Sequence, residues 1–169
     1  PGKTGIGQTR WATHGGVTVP NAHPHRSGKV SVVHNGIIEN FREIREEMQA
    51  LGHAFESQTD TESVVVLTRH HMDQGDDPLQ AVQRTVGRLR GAFALCFLFD
   101  GQDDLMIGAR HGAPLAVGYG EGENFIGSDA LALAPMTDRL SYLEDGDVVR
   151  VTRQSVEIFD REGRRANRP

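Results

Sequence analysis

The sequence predicts an α+β layered domain, and three patterns carry that prediction. An apolar run at residues 30–33 reads as a strand, with branched residues at three of its four positions. Two or three helical segments follow between residues 40 and 90. After Gly91 the period changes to short apolar runs divided by turn residues, which favours antiparallel hairpins. Helices in succession pack side by side on one face of a sheet, and the other face must also be covered. A second sheet with its own helices would do this, yet the chain is short of helices for that outer layer.

Taken in order, residues 6–11 are short and mixed, consistent with a strand that brings Arg10 to its end. Residues 12–26 have no period and hold Thr13, His14, Asn21, His23, His25, two glycines and two prolines, so a long loop is expected. Asn40 with Glu43 forms the pattern of a capping box, and Phe41, Ile44, Met48 and Leu51 make an apolar stripe that Gly52 ends. Thr59 with Glu62 repeats the capping pattern, with Asp60 in the first turn and the helix running to about Met72. Asp77 caps and Pro78 opens a third helix, whose stripe is Leu79, Val82, Val86 and Leu89. Residues 92–99 are almost continuously apolar and read as a buried strand. Short strands are expected at 105–109, 114–118, 124–128, 139–143, 147–152 and 155–160, with one helical turn near 129–134. The tail, 161–169, is basic and expected to be loose. No repeat or linker divides the chain.

Composition narrows the function classes. The 169 residues are enough for a domain with a real core. A net charge of −5 and an isoelectric point near 5.9 argue against a nucleic-acid surface as the main function. The single cysteine rules out an internal disulfide and fits a reducing compartment, here expected to be the cytoplasm. No stretch has the length of a membrane span, and no signal-like segment opens the sequence.

The chemistry gathers around Val33-His34-Asn35-Gly36-Ile37-Ile38-Glu39-Asn40. An Asn-Gly pair most often makes a hairpin turn. It can also aim an amide side chain and a bare backbone N–H at one point, where the two hold a developing oxyanion. Arg10 is either a surface ion pair or a bidentate clamp for a carboxylate. Asp60 is either an ordinary helix-start acid or the partner of a substrate ammonium. Together Arg10 and Asp60 would make a pocket for an α-amino acid. His23-Pro24-His25 matches no helical histidine motif and has no cysteine nearby, so no metal and no cofactor are expected. Cys96, inside the run Phe93-Ala94-Leu95-Cys96-Phe97-Leu98-Phe99, reads as a small buried hydrophobe facing with Ala94 and Leu98. No Gly-x-Ser-x-Gly elbow supplies a nucleophile. Composition and spacing alone therefore reach an α+β domain with a pocket for an anionic substrate and nothing to attack with.

Several runs resemble one family closely. Thr9-Arg10-Trp11-Ala12-Thr13-His14-Gly15, Asn21-Ala22-His23-Pro24-His25 and Val33-His34-Asn35-Gly36-Ile37-Ile38-Glu39-Asn40 are similar to the glutaminase domain of glucosamine-6-phosphate synthases. So are Thr59-Asp60-Thr61-Glu62, Arg90-Gly91-Ala92, Gly122-Glu123-Asn124-Phe125-Ile126, Ser128-Asp129-Ala130-Leu131-Ala132-Leu133 and Glu144-Asp145-Gly146-Asp147. Other class II amidotransferases share the Asn-Gly and the arginine, but not the run from Arg10 to Gly15.

The resemblance implies a four-layer αββα sandwich of the N-terminal-nucleophile hydrolase type, incomplete at its N-terminus. It implies a partial glutamine amidotransferase domain over residues 1–160, with 161–169 leading toward an absent sugar-isomerase domain. Arg10 would bind the α-carboxylate of L-glutamine, helped by Thr13 and the backbone near Trp11 and His14. Asp60 would bind the α-amine, and Asn35 and Gly36 would form the oxyanion hole. His23 would help order the loop that closes over glutamine, and Trp11 would help gate ammonia toward the isomerase domain. The family's nucleophile is the thiol of a cysteine at the mature N-terminus, which this sequence lacks. The chain by itself is therefore expected to hydrolyse no glutamine, and to be marginally folded or prone to aggregate. The whole enzyme would convert glutamine and fructose 6-phosphate to glucosamine 6-phosphate and glutamate, as a homodimer joined through the isomerase domain. Two alternatives stand beside this one: another class II amidotransferase, and a non-catalytic amino-acid-binding module.

Overall fold

Three helices lie on one face of a seven-stranded sheet, and a three-stranded sheet lies on the other. The computed structural model describes residues 25–128 and 133–169. The order is β1 (His25–Ser27), β2 (Val30–Ile38), α1 (Phe41–Ala50), α2 (Asp60–Asp73), α3 (Pro78–Arg88), β3 (Gly91–Phe99), β4 (Met106–His111), β5 (Ala116–Tyr119), β6 (Asn124–Gly127), β7 (Arg139–Tyr142), β8 (Val148–Val151), β9 (Val156–Phe159) and β10 (Arg165–Ala166). The large sheet runs β1-β2-β3-β4-β8-β9-β10 and the small one β6-β5-β7. The described residues thus supply three layers of the expected αββα sandwich.

β3 shows why the layers stack as they do. Phe93, Leu95, Phe97 and Phe99 enter the core under the helices, with Val30 and Val32 of β2 and Ile107 of β4. Ala94 points the other way, into a second core with Val117 of β5, Val149 and Val151 of β8 and Ile158 of β9. A strand covered on both faces reads as a continuous apolar run, because alternate side chains reach different cores. α2 is the central helix, and every residue from Asp60 to Thr68 is buried. It touches α1, α3, β1 and β2, so Val64-Val65-Val66-Leu67 can be apolar on all sides.

α3 begins as expected: Gln80 N–H donates to Asp77 Oδ1 at 2.8 Å and Asp77 N–H to Gln80 Oε1 at 3.1 Å. The other two caps differ. Asn40 makes no side-chain cap bond. Its amide instead donates to Arg88 O at 2.8 Å and accepts from Arg90 N–H at 3.0 Å, tying α1 to the α3–β3 connection. Thr59 likewise leaves α2 uncapped and turns its hydroxyl to His25. In both cases a tertiary partner outcompetes the local one. Leu51, expected on the α1 stripe, falls past the last turn and is exposed.

Three more expectations are corrected. The chain does not turn at Asn35-Gly36: β2 runs through them, paired with β3 from Val30↔Phe99 to Ile38↔Gly91. His25 and Arg26, read as loop, belong to β1, which folds onto β2 through Gly28 and Lys29. The tail is not loose. Arg165 and Ala166 pair with β9, and Arg168 donates twice to the buried Asp147, both at 2.8 Å. The strand connections also contain two jumps that spacing did not reveal, since β4 pairs with β8 and β5 with β7.

Candidate active site

Of the sequence-predicted site residues, Asn35, Gly36 and Asp60 are described, while Arg10, Trp11, Thr13, His14 and His23 lie outside the described residues. Asn35 and Gly36 sit near the end of β2, opposite Ala94 and Phe93 of β3. Both are exposed, in a strand otherwise largely covered. Among the described residues the Asn35 side-chain amide makes no hydrogen bond. Gly36 has φ +110°, which L side chains rarely adopt.

Asp60 opens α2 and is 4% exposed. Its Oδ2 accepts the backbone N–H of Ile38 at 2.8 Å. Its Oδ1 lies 4.0 Å from His34 Nδ1. The free N–H groups of the helix start also favour a carboxylate there. Asp60 is therefore bound to the same strand that carries Asn35 and Gly36, two residues beyond the glycine. Strand alternation puts His34 on the helix side with Asp60 and puts Asn35 on the side of Ala94.

Sequence reasoning missed the polar network around this helix start. His34 Nδ1 lies 2.9 Å from Thr61 Oγ1. The Glu62 carboxylate accepts from Glu56 N–H at 2.8 Å and from the Ser57 N–H and hydroxyl at 2.7 Å each. Ser57 Oγ meets Thr59 Oγ1 at 3.1 Å, and Thr59 Oγ1 meets His25 Nε2 at 2.8 Å. All of these but Glu56 are buried. The available signal was the density of hydroxyls and acids in residues 57–63, where an exposed amphipathic helix start would not need them.

Cys96 is buried, and burial alone pushes its thiol up to about 12. A thiol so seldom ionised is a poor nucleophile. Among the described residues no cluster of three or more His, Cys, Asp or Glu could hold a metal ion. No helix among them is long and apolar enough to cross a membrane. A cleft of about 510 Å³ lies between α3 and the β9–β10 turn, with Phe93 and His111 in its wall.

Comparison with known proteins decides the family. A family model described as a glutamine amidotransferase domain matches residues 20–135. The chain belongs to the glutamine amidotransferase domain family. Among curated relatives, a glutamine–fructose-6-phosphate aminotransferase (isomerizing) of Zymomonas mobilis is 59% identical over all 169 residues. One of Bradyrhizobium diazoefficiens is 59% identical over 167 residues. The amidotransferase chain spans only 28% of the length of each of these relatives. The Bacillus subtilis glutamine phosphoribosylpyrophosphate amidotransferase superposes with a TM-score of 0.76, covering 90% of this chain and 34% of that one at 21% identity. A glutamine aminotransferase class-II domain protein of Silicibacter pomeroyi gives a TM-score of 0.60 at 17% identity, over 85% of this chain and 71% of its own. At such identities the likeness establishes the fold, which is that of the class II amidotransferases and their N-terminal-nucleophile hydrolase-type sandwich.

Proposed function

We propose that this chain is the glutamine-binding, ammonia-donating part of a glutamine:fructose-6-phosphate aminotransferase, the enzyme that forms glucosamine 6-phosphate and glutamate. The observation that carries the site is the Asp60 carboxylate anchored to Ile38, on the strand that presents Asn35 and Gly36. The choice of sugar acceptor is supported by relatives that are 59% identical along the chain.

In this reading L-glutamine is gripped at both charged ends. Arg10 takes the α-carboxylate with help from Thr13 and the backbone near Trp11 and His14, and Asp60 takes the α-amine. His23 orders the loop over the substrate. The Asn35 amide and the Gly36 N–H face the side-chain carbonyl. Attack by a cysteine thiol on that carbon forms a C–S bond and moves the carbonyl π electrons onto oxygen, where these two donors stabilise the charge. The cysteine's own α-amine takes the thiol proton and passes it to the departing nitrogen, the C–N bond breaks to release ammonia, and water then hydrolyses the thioester to glutamate and the free thiol. The thiol in this reading is that of a cysteine at the mature N-terminus of the whole enzyme. Trp11 helps direct ammonia to the sugar-isomerase domain, through which the enzyme dimerises in the cytoplasm.

The test is calorimetric titration with L-glutamine alongside an ammonia-release assay. The full-length enzyme should bind and hydrolyse glutamine, Asp60→Asn should abolish that binding, and the 169-residue chain alone should release no ammonia. A steady glutaminase rate from this chain, lost on Asn35→Ala, would refute the assignment of the nucleophile. In the full-length enzyme, ammonia release that ignores fructose 6-phosphate would point to another class II amidotransferase.

A further inference from the structure

Two consecutive residues of α2 hold β2 on either side of Asn35 and Gly36. Upstream, His34 Nδ1 lies 2.9 Å from the Thr61 hydroxyl. Downstream, Ile38 N–H donates to Asp60 Oδ2 at 2.8 Å. All four gripping residues are buried, while the three residues between His34 and Ile38 are exposed. The start of α2 is itself immobilised by Glu62, whose carboxylate accepts three hydrogen bonds from Glu56 and Ser57. A clamp at positions 34 and 38 fixes the rotation of the strand about its own axis. Because successive side chains alternate, the orientation of His34 sets the face from which Asn35 projects. Gly36, with no side chain and a positive φ, would otherwise be the loosest point of this strand.

We propose that Thr61, acting through His34, is a positioning residue for the oxyanion donors Asn35 and Gly36. The proposal rests on the glutaminase reading above. Thr61 touches neither substrate nor reacting atoms in this scheme. Its hydroxyl holds the imidazole, the imidazole holds the strand, and the strand aims the donors. Donors of this kind act most strongly as charge develops, so misaiming them lowers kcat more than it raises KM.

The experiment compares Thr61→Val, Thr61→Ser and Thr68→Val in the full-length enzyme. Thr68 is an equally buried hydroxyl of α2, bonded to Val64 O and 2.9 Å from Thr85 Oγ1 of α3, and serves as the stability control. Thr61→Val should lower kcat for glutamine hydrolysis about tenfold or more, with KM for glutamine within about twofold. Thr61→Ser should restore most of the loss. Thr68→Val should lower Tm without changing kcat. Amide exchange should quicken at Gly36 and Ile38 in Thr61→Val only. Unchanged kcat and exchange in Thr61→Val, an equal loss of kcat in Thr68→Val, or an effect of Thr61→Val on KM alone would each overturn the proposal. If the wild-type enzyme turned over no glutamine, the glutaminase reading would fall first. The exchange comparison would then decide whether the clamp on β2 exists.

Discussion

Gly36 sits so close to Ala92 that a β-carbon added to it would lie 2.0 Å from the Ala92 carbonyl oxygen. The reciprocal holds across the same strand pair, where a β-carbon on Gly91 would lie 2.2 Å from the Ile37 carbonyl oxygen. Both glycines have positive φ. β2 and β3 therefore approach each other at this end in a way that only glycine permits. Gly36→Ala should cost about 3 kcal/mol, combining an unfavourable backbone region with a contact against backbone that cannot rotate away. Urea unfolding should show a lower midpoint at unchanged slope. An unshifted midpoint would mean that the β2–β3 end relaxes freely.

Among the three described helices the Asp77 cap is the one whose geometry is complete, with both bonds of the box formed. Asp77→Ala should therefore destabilise the domain by about 1 kcal/mol. Asn40→Ala should act differently, since its amide joins Arg88 O to Arg90 N–H rather than capping α1. Its loss should loosen the connection from α3 into β3, read as faster amide exchange at Arg90. Equal exchange at Arg90 in both variants would contradict this division.

His53 Nε2 and His70 Nδ1 are 3.1 Å apart, one donating to the other. Burial first, and then the charge on His70 and on Arg69, hold the His53 pKa below its ordinary 6.5, with Asp73 opposing. The folded protein thus resists a proton that the unfolded chain accepts. The unfolded state binds more protons just below pH 6.5, so stability rises with pH there. Stability should be greatest above that pH and fall as the pH drops through it toward the lowered folded value. Tm measured from neutral to mildly acidic pH should show this decline, and His53→Asn should flatten it. A variant that kept the full wild-type slope would assign the effect elsewhere, with His71, also lowered by burial, the next group to test.

Cys96 should be silent toward thiol reagents in the folded domain. Its thiol is buried and pushed up to about 12, so almost none of it is thiolate at neutral pH. Labelling should be slow in buffer and complete in denaturant. Rapid labelling of folded protein would reopen Cys96 as a candidate nucleophile.

Legibility varied with the range of the interaction. The cap at Asp77 is legible in the sequence because it acts within one turn, although the reciprocal bond to the Gln80 side chain is visible only in the structure. The burial of Phe41, Ile44 and Met48 followed from helical spacing. The two-sided burial of β3 followed from an unbroken apolar run. The caps expected at Asn40 and Thr59 do not form because the same side chains have better partners far along the chain, at Arg88, Arg90 and His25. Local preference favours a turn at the Asn35-Gly36 pair. Nine residues of pairing with β3 held it in a strand instead.

By itself the sequence determined which chemical groups the domain has to offer: an amide next to a glycine, an acid at a helix start, and a cysteine flanked by apolar residues. Periodicity and end signals also determined where most helices and strands lie, because those depend on neighbours within one or two turns. Only the tertiary structure decided that Asp60 would hold Ile38 and that Thr61 would meet His34 across 27 positions of sequence. It also decided which strands share a sheet. Burying a polar side chain is costly until it finds a partner, and that partner exists only once distant segments have packed together.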